Sequence, residues 1–258
     1  MRLVRVARPD GPAFGVVRDD MVVLVDGHPF GGVRLTDRVA PLEEVRLLAP
    51  ILPSKILGVG RNYADHAAEM GGEVPPEPLV FSKPATAVIG PGEAIRLPAL
   101  SREVHHEAEL AVVVGRLTRR VAVQDALDAV LGYTCANDVT ARDLQASDGQ
   151  WTRAKGFDTF CPLGPWIDTA VEPGGLSVRC TVNGELRQDG TTADLVYDVA
   201  QLVAYCAAFT TLLPGDVLLT GTPAGVGPIV DGDAVTVAID GIGELHNPAV
   251  AELPGPPR

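Results

Sequence analysis

Residues 105–115 read HHEAELAVVVG. Side chains of an extended chain alternate in direction, so Glu107 and Glu109 share one face while Ala108, Leu110 and Val112 pack on the other. The apolar run at 111–114, closed by Gly115, predicts a largely buried strand. Two carboxylates on one face of such a strand repel each other, and burial raises that cost unless a cation lies between them. Asp138 ends the next strand-like run, GYTCANDVT at 132–140, and can supply a third oxygen. Three carboxylates with no cysteine or histidine in the set select a hard cation, Mg2+ or Mn2+, over zinc. Such an ion takes about six ligands, which leaves roughly half its positions for water or substrate. The same Glu-x-Glu spacing also occurs on solvent-facing edge strands, where it carries no chemistry.

The flanking sequence predicts a β-dominated α+β fold. The 28 glycines and 22 prolines call for many turns between short strands. Residues 1–50 read as a small β-rich unit, with strand-like runs at 3–7, 13–18 and 21–25 separated by Pro-Asp-Gly, Asp-Asp and Asp-Gly turns. LLAPILPSK at 47–55 reads as a linker because Pro50 and Pro53 fit poorly inside regular elements. A larger unit over 51–258 follows, with a strand at 93–100 closed by Pro98. Residues 121–130 are helical in pattern, with Gly132 as the C-terminal cap. Asn183-Gly184 sits between alternating runs and predicts a hairpin. Leu195, Val199, Leu202, Val203 and Cys206 recur at helical spacing, which predicts an amphipathic helix over 194–211.

Charge and cysteine usage narrow the function classes. A net charge of −12 repels phosphate backbones and excludes nucleic acid as an expected partner. If the substrate is a small anion, local cations must reverse that field where it binds. No apolar run reaches the roughly 20 residues of a membrane span, and charges interrupt the N-terminus, so no membrane or signal segment is expected. Cys135, Cys161, Cys180 and Cys206 are scattered without zinc spacing and read as buried reduced thiols of a cytoplasmic protein.

His66 and Glu69 lie three apart in GRNYADHAAEMGG, residues 60–72, and are neighbours on one face of a helical turn. A carboxylate that orients a histidine makes a general base able to activate water; an ordinary exposed His-Glu pair has the same spacing. Gly71, Gly72 and the prolines from 75 to 78 suggest that this segment forms a lid. His105 and His106 point to opposite faces and are read as structural. TGTPAGVGP at 220–228 lacks the ending of a phosphate loop, although its amides can bind a carboxylate.

The ordered set GRNYADHAAE, FSKP, HHEAELAVVVG, GYTCANDVTARDLQ, KGFDTFCPLGPWI, VNGELRQDG and LLPGDVLLTGTPAGVG resembles the fumarylacetoacetate hydrolase superfamily over residues 55–250 or so. Residues 1–50 resemble the small N-terminal β domain of many bacterial members. The resemblance implies a mixed β-roll core, a homodimer, and Mg2+ or Mn2+ held by Glu107, Glu109 and Asp138. It implies that His66 and Glu69 form the water-activating dyad and that Lys155 is an active-site lysine whose charged form Arg142 and the metal disfavour. Arg61, Arg142, Gln145, Gly221 and Thr222 fall where members contact substrate. The implied substrates are small 2-oxo or 2,4-dioxo acids. The intact dyad favours hydrolytic C–C cleavage of an acylpyruvate or fumarylpyruvate. The alternatives are decarboxylation of oxaloacetate and isomerisation or decarboxylation of 2-hydroxyhepta-2,4-diene-1,7-dioate in aromatic degradation. A metal-binding module without catalysis is a further alternative, which functional groups gathered beside an open metal site argue against. Substrate choice is expected to lie in residues 69–78 and in the N-terminal unit.

Overall fold

The computed structural model describes residues 1–252; residues 253–258, the end of the unit expected over 51–258, lie outside the described residues. The fold is α+β and strand-dominated. Its largest sheet has 12 strands, and the strand Ala108–Val114 lies inside it between Val130–Asn137 and Val217–Leu219. All seven residues of that strand are buried. Leu110 and Val112 belong to one apolar cluster and Ala111 and Val113 to another, so both faces of the strand are covered. Each buried Leu or Val contributes about 1.5–3 kcal/mol, which anchors the strand against the cost of carrying a buried carboxylate. The exposed-edge reading of the Glu-x-Glu pair is thereby excluded.

The N-terminal strands Arg2–Val6, Ala13–Arg18, Met21–Asp26 and Arg34–Pro41 extend the same sheet, because Arg2–Val6 pairs with Cys161–Asp168. A five-stranded sheet packs nearby, and it contains the expected hairpin. Asn183 and Gly184 take φ of 54° and 80° between Ser177–Val182 and Glu185–Thr191. Positive φ at both central residues is the turn whose twist matches the flanking strands. A three-stranded sheet of Thr140–Ala141, Val104–His106 and Gly227–Pro228 closes the end of the roll beside Asp138. The strand expected over 93–100 is confined to Ile95–Leu97.

Four α-helices are present among the described residues: α1 (Ala64–Glu69), α2 (Arg142–Asp148), α3 (Thr152–Lys155) and α4 (Val199–Phe209). None of the described helices is long and apolar enough to cross a membrane. Two helical expectations are corrected. Over 121–130 the chain forms a 3-10 helix, Val123–Ala129, and then runs straight into the strand Val130–Asn137. Ala126 and Ala129 are its buried residues, and their three-residue spacing suits the tighter 3-10 repeat. Gly132 is no cap. It lies within the strand, where a Cβ would collide with the Asp168 carbonyl of the neighbouring strand. The helix expected over 194–211 begins only at Val199, because Asp198 accepts from Gln201 N and the Gln201 side chain accepts from Asp198 N. That reciprocal cap ends the helix at its N-terminal side and leaves Leu195 to bridge Tyr63.

Candidate active site

Strand register assembles the acidic group. Ala108 pairs with Asn137 and Glu109 with Ala136, so Asp138 emerges beside Glu107, whose carbonyl accepts from Asp138 N at 2.8 Å. Asn137 Oδ1 accepts from Glu107 N at 2.9 Å and fixes the break between Val104–His106 and Ala108–Val114. Glu107, Glu109 and Asp138 are 4%, 2% and 0% exposed, and one oxygen of each lies within 4.8 Å of the others.

Three cations meet these carboxylates. Lys155 Nζ donates to Glu107 Oε2 at 2.9 Å and to Asp138 Oδ2 at 2.5 Å. Lys83 Nζ donates to Asp138 Oδ1 at 2.5 Å, and Arg142 Nη2 lies 2.5 Å from Glu107 Oε1. Among the described residues no cation pairs with Glu109, and its Oε2 accepts from Gly221 N at 2.6 Å. Burial pushes the Glu107 carboxyl up, but Lys155 and Arg142 outweigh it and hold it below the usual carboxylate range. Burial, with Asp138 and Glu107 beside it, holds the Glu109 carboxyl well above that range. Lys155 differs from expectation. Burial lowers it, yet Asp138 and Glu107 raise it above an ordinary lysine and outweigh the repulsion of Arg142. Its charged form is favoured here.

The residues present fit a hard divalent cation. Three buried carboxylates offer oxygen donors at close range, and among the described residues Glu109 has no ion-pair partner for its ionised form. With three cations already opposing three carboxylates, an added dication would leave the cluster net positive. That reverses the field of a protein of net charge −12 and suits an anionic substrate.

The His66–Glu69 contact forms as the spacing predicts. His66 and Glu69 share one face of α1, with His66 Nδ1 3.2 Å from Glu69 Oε2, and Glu69 Oε1 accepts from Gly225 N at 3.0 Å. On α2, Arg142 Nη1 donates to Gln145 Oε1 at 2.8 Å. Arg61 adopts a φ of 58°, a left-handed conformation uncommon for a non-glycine residue. One cavity of about 420 Å³ is lined by every sequence-predicted residue except Glu69 and Gly221. Glu69 stands behind His66. The Gly221 amide donates to Glu109. The Thr222 hydroxyl donates to Ala108 O at 2.8 Å and accepts from Gln188 Nε2 at 2.7 Å, which ties the 220–228 loop to the acidic strand.

Sequence reasoning passed over two residues. Lys83, quoted only as part of FSKP, is 1% exposed and ion-paired to Asp138. A lysine closing a short strand carries no sign of this in sequence. His105, read as structural, lines the cavity, with Nε2 3.0 Å from Glu103 Oε1. His106 is structural as expected, buried and bonded through Nδ1 to Gln188 Oε1.

Residues 55–250 match the fumarylacetoacetate (FAA) hydrolase C-terminal family. The chain belongs to the fumarylacetoacetate hydrolase family. Residues 1–50 match the Rv2993c-like N-terminal family. A solved structure of this superfamily, a 2-hydroxyhepta-2,4-diene-1,7-dioate isomerase from Mycobacterium marinum, is 50% identical over 98% of this chain and 99% of its own, with a TM-score of 0.92. The maleylpyruvate hydrolase from Sphingobium sp. SYK-6, in complex with manganese(II) and pyruvate, is 38% identical over 98% of this chain and 100% of its own, with a TM-score of 0.82. The mitochondrial oxaloacetate tautomerase fahd2 of Xenopus laevis is 46% identical over 80% of this chain and 69% of its own. Like these superfamily members, the chain is an enzyme.

Proposed function

We propose that this fumarylacetoacetate hydrolase family member hydrolyses a C–C bond of a small 2,4-dioxo acid of the acylpyruvate or fumarylpyruvate type. The observation that carries this reading is the oriented His66–Glu69 pair, whose histidine lines the same cavity as Glu107, Glu109 and Asp138. The maleylpyruvate hydrolase with manganese and pyruvate lends support, because pyruvate is the fragment that such cleavage releases. Mg2+ or Mn2+ held by the three carboxylates would supply a Lewis acid for the 2-oxo group.

His66, aligned by Glu69, takes a proton from water as the water oxygen bonds to the distal carbonyl carbon, C4. The C3–C4 bond then breaks. Its electron pair stays on the pyruvate fragment as an enolate, and C4 leaves as a carboxylic acid. The proton held by His66 goes to C3 and completes pyruvate. Lys155 and Arg142 oppose the negative charge that develops on the fragment, and Arg61 and Gln145 supply donors for its anionic and carbonyl oxygens.

A second reading is tautomerisation of oxaloacetate, favoured by the 46% identity to a protein of that name. It needs proton transfer at C3 without addition of water. The deciding experiment is a panel of acetylpyruvate, fumarylpyruvate, oxaloacetate and 2-hydroxyhepta-2,4-diene-1,7-dioate with Mg2+ or Mn2+, run with Glu69→Ala in parallel. Acylpyruvate cleavage is expected, lost on chelation and reduced about a hundredfold or more in Glu69→Ala. Undiminished cleavage in that variant would sink the dyad's role. Oxaloacetate turnover with no acylpyruvate cleavage would favour the tautomerase.

A further inference from the structure

We infer that Trp151 limits the length of substrate tail that the cavity admits, by standing between it and a second cleft. This rests on the proposed reading, in which the 2-oxo acid head sits at the acidic group. The cleft, of about 450 Å³, adjoins the main cavity, and the two share Arg61, Phe81 and Trp151 as lining residues. Phe81 and Trp151 pack edge to face, with centroids 5.6 Å apart and planes at 63°. They form the partition between the two spaces.

The partition is built into the fold from both sides. Trp151 sits at the N-terminal cap of α3, and its carbonyl accepts from Lys155 N at 2.9 Å. The turn that holds the indole therefore also aims Lys155 at Glu107 and Asp138. Under the ring the strand Ile56–Gly60 is bare, for a Cβ on Gly60 would lie 2.7 Å from the indole. Gly58 makes the same room for Phe81. Lys155 Nζ lies 4.8 Å from the Phe81 ring centroid, so the aromatic wall begins where the charged floor ends.

Beyond the wall the cleft is lined by the apolar Leu79 and Val80 and by the polar Ser82, Gln150 and Thr152, with the turn at Gly149. Among the described residues that line it, Arg61 alone is charged. This mixed lining receives an uncharged tail, whose apolar part favours binding in proportion to the area it buries. With the indole in place a short distal group ends against the wall. With a methyl in its place the two spaces join.

The test compares wild type, Trp151→Ala and Trp151→Phe by calorimetry in the presence of Mn2+. The probes are oxalate, which has no tail, and 6-phenyl-2-oxohexanoate, which has a long apolar one. The ratio of affinities is expected to shift about tenfold toward the phenyl acid in Trp151→Ala, since its tail then buries in the cleft. Trp151→Phe, which keeps a ring and serves where the alanine variant does not fold, is expected to shift the ratio in the same direction by about threefold. A ratio unchanged in the folded variants would overturn the inference and leave the proposed function standing. Failure of all three proteins to bind either acid would overturn the proposed function, and the inference with it.

Discussion

The Lys83 side chain has no exposed surface, and its amine donates to Asp138 and to the Val139 carbonyl. A lysine taken fully out of water is costly unless a carboxylate meets it, and Asp138 provides one. Asp138 in turn is gripped at both oxygens, Oδ1 by Lys83 and Oδ2 by Lys155. That double grip holds the carboxylate beside Glu107. Lys83→Met keeps the length of the stem and removes the charge. It is expected to cost about 3–5 kcal/mol, the usual penalty for breaking a buried pair. Guanidinium unfolding in chelator-treated buffer measures it, and an unchanged midpoint would show that Lys155 alone satisfies Asp138. Nothing in FSKP marks this lysine, because its partner lies 55 positions away. The His66–Glu69 pair was legible for the opposite reason: both members belong to one helical turn.

Among elements, α4 shows how a local signal sets a boundary that periodicity misses. Apolar spacing extends back to Leu195, but the Asp198–Gln201 capping box starts the helix at Val199. The box is written in the sequence as an aspartate followed three residues later by glutamine. Asp198→Ala is expected to lower stability by about 1 kcal/mol, in the range of lost N-caps. The shift in urea midpoint at constant slope reads this out; no shift would mean that Gln201 alone caps the helix. The segment 121–130 went the other way. Its residues are helical in pattern, yet the following strand has to begin at Val130 to reach its register with Ala108–Val114. The length left over suits a 3-10 turn.

Across the molecule, the four cysteines fall in the packed interior, all free and buried. Burial pushes the Cys161, Cys180 and Cys206 thiols up to about 12, so almost no thiolate exists at pH 8. The native protein is expected to leave an aromatic disulfide reagent unreacted at that pH, while the guanidinium-unfolded chain titrates fully. Rapid reaction of one thiol in the native protein would reveal local opening near it. The same interior explains the charge pattern. A protein of net charge −12 gathers Lys83, Lys155 and Arg142 around the buried carboxylates Glu107 and Asp138.

Short-range chemistry was readable along the chain. Alternation predicted that Glu107 and Glu109 share a face. Positive φ demands predicted the Asn183-Gly184 hairpin, and three-residue spacing predicted the contact of His66 with Glu69. Each depends on residues close in sequence, so the backbone period alone fixes the geometry. The ordered motifs identified the family and hence the partners of the acidic pair. Long-range pairing alone supplied the rest. It covered both faces of Ala108–Val114, brought Lys83 and Lys155 to Asp138, gave the Gly221 amide to Glu109, and set Trp151 against Gly60. Those contacts join segments 17 or more residues apart, and strand register, which depends on the packing of whole sheets, determines which segments meet.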